Sequence, residues 1–219
     1  MYFYNIILIR TYCMKDLYYT ISSNYFFHKS LSKEQRLSGM RWDIPQSKGR
    51  IMSGILSAGS SYSLTEFITR KEFSVNYISE NARGCLLIIN QLSEASYIQI
   101  KTQERFETDY SPRDVEMLVL PACKNLTMTY APQTFGRRLE IYIDEKTMEE
   151  WFSPDFLGLA SQEDSIYFST RLMEKCYLRL EQLSQLFFKE TFTMSDKVVA
   201  DRIVTMLGQI NALTLPSCC

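Results

Sequence analysis

Between Arg50 and Ile143 apolar residues recur in short runs, at every second position or without a break, and Gly, Ser, Asn and Pro separate the runs. That rhythm predicts the strands of an all-β sandwich or barrel. Eight strands follow from it, at 51–58, 62–69, 73–78, 85–90, 97–101, 117–120, 126–130 and 138–143. Strict alternation at Phe73/Val75/Tyr77, Leu126/Met128/Tyr130 and Leu139/Ile141/Ile143 predicts strands with one buried and one wet face. Cys85 to Ile89 is apolar throughout and belongs in the middle of a sheet.

After Ile143 the period lengthens. Asp144 is placed to cap a short helix reaching Trp151-Phe152, and Pro154 stands where a helix does not easily continue. Ser161, with Asp164 three residues on, predicts the start of a long helix to Lys189. Along it Leu172, Cys176, Leu180, Leu183 and Phe187 repeat at spacings of 4, 4, 3 and 4, and Ile166, Met173 and Tyr177 form a second apolar line. If the second line faces the barrel, Leu172, Leu180, Leu183 and Phe187 are left as a homodimer seam; the alternative is that the next helix or the barrel wall covers them. Ser195 starts that next helix, with Val199, Ile203, Leu207 and Ile210 as its stripe. The chain therefore divides into a lead-in (1–49), a β-barrel (50–143) and a helical hairpin (144–219), an α+β organisation.

Charge and chemistry narrow this picture. The 219 residues carry 24 Lys+Arg and 25 Asp+Glu, a formal charge of −1, so no chain-wide electrostatic footprint favours nucleic acid or an anionic membrane. His28 is the single histidine, in the aromatic segment Asn24-Tyr-Phe-Phe-His28, and reads as structural or solvated; clustered-imidazole metal sites and Ser-His-Asp catalysis need more than it offers. The six cysteines include no CxxC pair, and Cys85 and Cys176 read as small core residues in a reducing compartment. Phosphate-binding loops, nucleophile elbows and HExxH are absent from the sequence. The acidic groups Glu104/Glu107/Asp109 and Glu145/Glu149/Glu150 could suggest carboxylate pairs but read as solvated loop or helix faces; Arg137-Arg138 beside a strand could bind an anion, with a paired surface arginine as the default. The apolar run Tyr2 to Ile9 is too short to span a bilayer and has no basic start, so it reads as an edge strand or as an extension ahead of a start at Met14.

The order of elements carries a resemblance. Trp42-Asp-Ile-Pro45 precedes a glycine-containing strand (Gly49-Arg-Ile-Met-Ser-Gly-Ile) and paired strands. A strand running into a polar turn (Leu86-Leu-Ile-Ile-Asn-Gln-Leu-Ser-Glu-Ala), Tyr110-Ser-Pro112 and the helical region follow. Over residues 40–217 this resembles the N-terminal effector-binding and dimerisation domain of AraC-family transcription regulators, most of all the siderophore-regulator subgroup. Asp201 to Pro216-Ser is similar to the linker helix ahead of that family's DNA-binding module. The resemblance implies a cupin-like barrel holding a small organic effector with neither metal nor cofactor, in a cytoplasmic homodimer that is not an enzyme. DNA contact would belong to a C-terminal domain that the chain does not contain. Trp42, Phe67, Phe73 and Tyr77 are the candidate apolar ligand contacts, each with a place in the core as its alternative, and Arg50 is the candidate partner of an acidic group. A free-standing small-molecule-binding β-module unrelated to transcription is the competing reading.

Overall fold

The computed structural model describes residues 16–21, 40–57, 59–79, 83–93, 98–102, 107–110, 115–122, 125–152, 167–168, 174–191 and 194–213. One sheet has five strands in the order β1 (Asp16–Ile21), β5 (Phe73–Ser79), β10 (Leu126–Tyr130), β7 (Ile98–Thr102) and β8 (Glu107–Tyr110). The other has seven: β12 (Tyr167–Phe168), β9 (Val115–Pro121), β6 (Cys85–Leu92), β11 (Phe135–Ile143), β4 (Ser60–Thr69), β3 (Ser47–Ser57) and β2 (Met40–Asp43). Neighbours run antiparallel, except that β1 is parallel to β5.

The strands expected from the apolar runs are all present, and β1, β2, β8 and β12 are added to them. β2, β8 and β12 have four residues or fewer, and β8 pairs with β7 although Glu107 and Asp109 had read as loop or helix surface. β1, β2 and the first residues of β3 lie before residue 50, so the lead-in supplies strands to both sheets.

Two apolar clusters flank the larger sheet. Between the sheets, Ile51, Phe67, Leu86, Ile88, Leu118 and Tyr142 meet Phe73, Val75, Tyr77, Leu126, Met128 and Tyr130. On the opposite face Leu64, Leu87, Ile89, Leu139, Ile141 and Ile143 pack under helical side chains. β6 is thus covered on both sides, as its unbroken apolar run predicts. β5 keeps the expected alternation and β10 keeps it as far as Met128, Thr129 being buried with Tyr130, but β11 does not: Arg138, Glu140 and Tyr142 are buried as well as Leu139, Ile141 and Ile143.

Three helices are described: α1 (Glu145–Trp151), α2 (Glu174–Glu190) and α3 (Asp196–Leu213). Asp144 caps α1 as predicted, its Oδ1 accepting from the Thr147 N–H at 2.8 Å. The long helix expected from Ser161 is corrected. Tyr167–Phe168 is a strand on β9 and α2 begins at Glu174, because two backbone pairings at the sheet edge win over helical periodicity there. Ser161, Asp164, Ile166, Leu172 and Met173 lie outside the described residues, as do the side chains of Cys176, Tyr177 and Leu180. On α3 the predicted stripe is confirmed: Val199, Ile203, Leu207 and Ile210 are all buried against the outer face of the sheet. At the end of the sheet nearest α1, Gly84 adopts φ +107°, and a Cβ there would lie 2.1 Å from the Ile143 carbonyl oxygen, so only glycine fits.

Candidate functional site

Alternation in a strand assigns side chains to faces without regard to polarity, and on the inner face of the larger sheet it delivers polar groups. Phe67 and Ile88 point between the sheets, so Ser61, Ser63 and Thr65 on β4 and Asn90 on β6 share that face. Arg138 and Glu140 on β11 complete the set. Register puts Arg138 directly between Thr65 and Asn90, and Glu140 between Ser63 and Ile88.

Arg138 is 1 % exposed and Glu140 fully enclosed. Arg138 Nε lies 2.7 Å from Glu140 Oε1, and its Nη1 donates to the Tyr130 hydroxyl at 2.8 Å. From the facing sheet the Tyr77 hydroxyl also donates to Glu140 Oε1. The Arg138 guanidinium carbon sits 5.6 Å from the Phe67 ring centre, 5.9 Å from Tyr77 and 5.6 Å from Tyr130. An isolated buried cation would be strongly disfavoured, and the carboxylate, hydroxyl and three aromatic faces together make this one tenable. Burial pushes the Glu140 carboxyl above the ordinary range, with Arg138 and then the Tyr77 hydrogen bond pulling the other way. The Tyr130 hydroxyl is likewise raised by burial, against the pull of Arg138.

Beside this pair the hydrogen bonding is incomplete. Tyr130 reaches Asn90 Oδ1 in a long contact of 3.5 Å, while Asn90 Nδ2 finds no partner among the described residues. Thr65 Oγ1 and Ser61 Oγ are also buried without one. Phe67, one row nearer the barrel end, covers this row: its ring lies where a Cβ on Gly136 would be, and it meets Tyr130 edge-on at 4.9 Å. The end itself is pinned by Thr69, whose hydroxyl donates to the Ala131 carbonyl at 2.6 Å and accepts from the Thr134 N–H at 2.8 Å.

Of the sequence candidates, Phe67 and Tyr77 are brought together around Arg138, and Phe73 is buried in the same cluster opposite Tyr130. Trp42 stands on β2 opposite Gly49, its side chain outside the described residues. Arg50 is corrected. It falls one position from the inward Ile51, so it lies on the other face and pairs with Glu66 at 3.0 Å, a carboxylate it shares with Arg137. The buried cation is Arg138 instead, which an Arg-Arg pair at the start of an alternating strand had disguised as surface. On α2, Phe187 is buried within its own chain and Leu183 is half-buried against the same cluster, while Leu172 and the Leu180 side chain lie outside the described residues. Among the described residues no group of three or more His, Cys, Asp or Glu is placed to hold a metal ion. Nor is any described helix long and apolar enough to cross a membrane.

No protein-family model matches the sequence, and a search of curated proteins finds no match. Solved structures similar to the chain include the AraC-like transcriptional activator CuxR, at 10 % identity and a TM-score of 0.48, covering 85 % of this chain and 59 % of that one. Vicilin from hazelnut (Corylus avellana) matches at 6 % identity and a TM-score of 0.33, over 62 % of this chain and 35 % of that one. Oxalate decarboxylase from Bacillus subtilis matches at 7 % identity and a TM-score of 0.31, over 56 % of this chain and 34 % of that one. The chain thus spans less than two thirds of each of these proteins. The expectation that the chain is not an enzyme is corrected by the same comparison, because an enzyme stands among the structures it is similar to.

Proposed function

We propose that the chain is the effector-binding part of a cytoplasmic AraC-type transcription regulator, with a small organic molecule received between the two sheets. The observation that supports this is the polar lining around Arg138 and Glu140. A purely structural barrel fills such positions with aliphatic side chains, since buried polar atoms without partners cost about 1–3 kcal/mol each. Here Ser61, Thr65 and Asn90 leave such atoms beside an ion pair ringed by Phe67, Tyr77 and Tyr130. A few polar groups converging on an aromatic enclosure is the composition of a small-molecule site. Pairing of two copies through the earlier part of α2 belongs to the same reading, Phe187 being already engaged within its own chain. DNA contact is assigned to a separate C-terminal domain.

The test is a fusion of the chain to the DNA-binding module of an unrelated repressor, driving a reporter and screened against a library of small organic compounds. A compound that both raises the melting temperature of the purified chain and switches the reporter supports the reading. Compounds that bind the purified chain but leave the fusion inert favour a free-standing binding module. If no compound does either, the barrel is not an effector site.

A further inference from the structure

Resting on the reading of the barrel as an effector site, we infer that its ligand presents acceptor oxygens, carbonyl or carboxylate, to Asn90 Nδ2 and to Thr65 Oγ1, on the two sides of the row that Arg138 divides. Cross-strand neighbours in one row stand about 5 Å apart. Thr65, Arg138 and Asn90 form such a row across β4, β11 and β6. The Asn90 carbonyl oxygen already faces the Tyr130 hydroxyl, so what remains of its amide is N–H, which only donates. The Thr65 hydroxyl, with no partner among the described residues, is able to donate as well. Two enclosed donors flanking a guanidinium call for acceptor oxygens.

A cationic ligand is disfavoured by the same geometry. The aromatic faces that would hold an ammonium are those of Phe67, Tyr77 and Tyr130, and the Arg138 guanidinium lies within 6 Å of all three. A second positive charge would enter beside the first in a poorly screened interior, where the Glu140 carboxylate is already paired with Arg138. Because the donors are fully enclosed, entry requires Phe67 to swing off Gly136, the position where the absent Cβ leaves the ring its seat.

The experiment uses the full chain and three aromatic series of matched size, benzoates, benzamides and benzylamines, screened by ligand-observed NMR and titrated calorimetrically. Binding is expected from the acceptor series and not from the benzylamines. It should weaken at least tenfold in Thr65→Val and in Asn90→Asp, which keeps the side chain's shape while replacing its donors by an oxygen. Stronger binding of benzoates identifies a carboxylate ligand, and stronger binding of benzamides a neutral carbonyl. Circular dichroism and melting curves of both variants establish that they are folded; if Asn90→Asp is not, Thr65→Val alone decides. Benzylamine binding equal to benzoate, or acceptor binding that neither variant weakens, overturns the inference and leaves the effector site standing. If none of the three series binds and the library screen is also empty, the effector site falls and this inference with it.

Discussion

The two faces of the seven-stranded sheet are built by the same strands and do opposite things. Toward the helices, Leu64, Ile89, Leu139 and Ile141 meet Phe187, Val199, Ile203 and Ile210, and the buried polar side chains on that side, such as Ser184 and Thr191, carry no charge. Toward the smaller sheet, one residue along on each strand, stand Thr65, Asn90, Arg138 and Glu140. Both faces are buried, so exposure does not explain the contrast. A fully buried aliphatic side chain contributes roughly 1.5–3 kcal/mol, and the outer face collects that gain position after position. The inner face gives part of it up to keep charge and hydrogen-bonding groups inside, a pattern expected where stability is traded for recognition.

The largest effect should come from breaking the inner pair. Arg138→Leu leaves Glu140 enclosed without its cation and should destabilise the chain by about 4 kcal/mol in urea titrations. Arg138→Leu/Glu140→Leu should recover most of that loss, because it removes both desolvated charges. A double variant as unstable as the single one would mean that the pair is structural cement and that the inner face does not differ in kind from the outer.

How much of this contrast was legible in the sequence depends on the face. Val199, Ile203, Leu207 and Ile210 announce the helical cover by spacing alone, and Asp144 announces the α1 cap. The inner site was half legible: Phe67 and Tyr77 stand out as aromatics on strands, but Arg138 and Glu140 sit at the polar positions of a clean alternation and so read as solvent-facing. Periodicity shows which residues share a face; it does not show that a second layer covers the polar one. The face of Arg50 was illegible for the complementary reason, since β3 places it outward by one residue and no local signal in Gly49-Arg50-Ile51 marks which face turns in.

The outer face offers the next effect. Ile203→Ala removes a fully buried side chain from α3 and should cost about 3 kcal/mol, with the urea dependence unchanged. Ligand binding by the folded variant should be unaffected, since nothing on this face touches the Arg138 row. Impaired binding would show that the faces are coupled through the sheet.

A pH titration separates the faces by charge. Burial raises the Glu140 carboxyl above its ordinary value of 4.5, so the folded chain holds this proton more tightly than the unfolded chain. The corresponding stability is complete below that ordinary value and is lost as pH rises through the raised one, with a slope of at most ~1.4 kcal/mol per pH unit for one proton. The difference between the unmutated chain and Glu140→Gln, measured by urea midpoint against pH, should carry this slope. A difference that instead grows in favour of the unmutated chain with rising pH would mean that Arg138 and Tyr77 outweigh burial.

The smallest effect is the sharpest test of the comparison. Thr65→Val exchanges a hydroxyl for a methyl of similar size, and the hydroxyl oxygen is enclosed without a partner among the described residues. On the outer face the buried Ser184 hydroxyl also lacks a partner among the described residues, and Ser184→Ala is the matching exchange there, with no effect expected on binding. Relieving an unsatisfied donor gains a fraction of its desolvation penalty, so Thr65→Val should leave stability unchanged or raise it by up to about 1 kcal/mol. The same variant should lose affinity for an acceptor ligand, which makes stability and binding move in opposite directions at one residue. If Thr65→Val instead destabilises the chain by more than about 1 kcal/mol, its hydroxyl is holding the barrel together, and the inner face is as much a structural core as the outer.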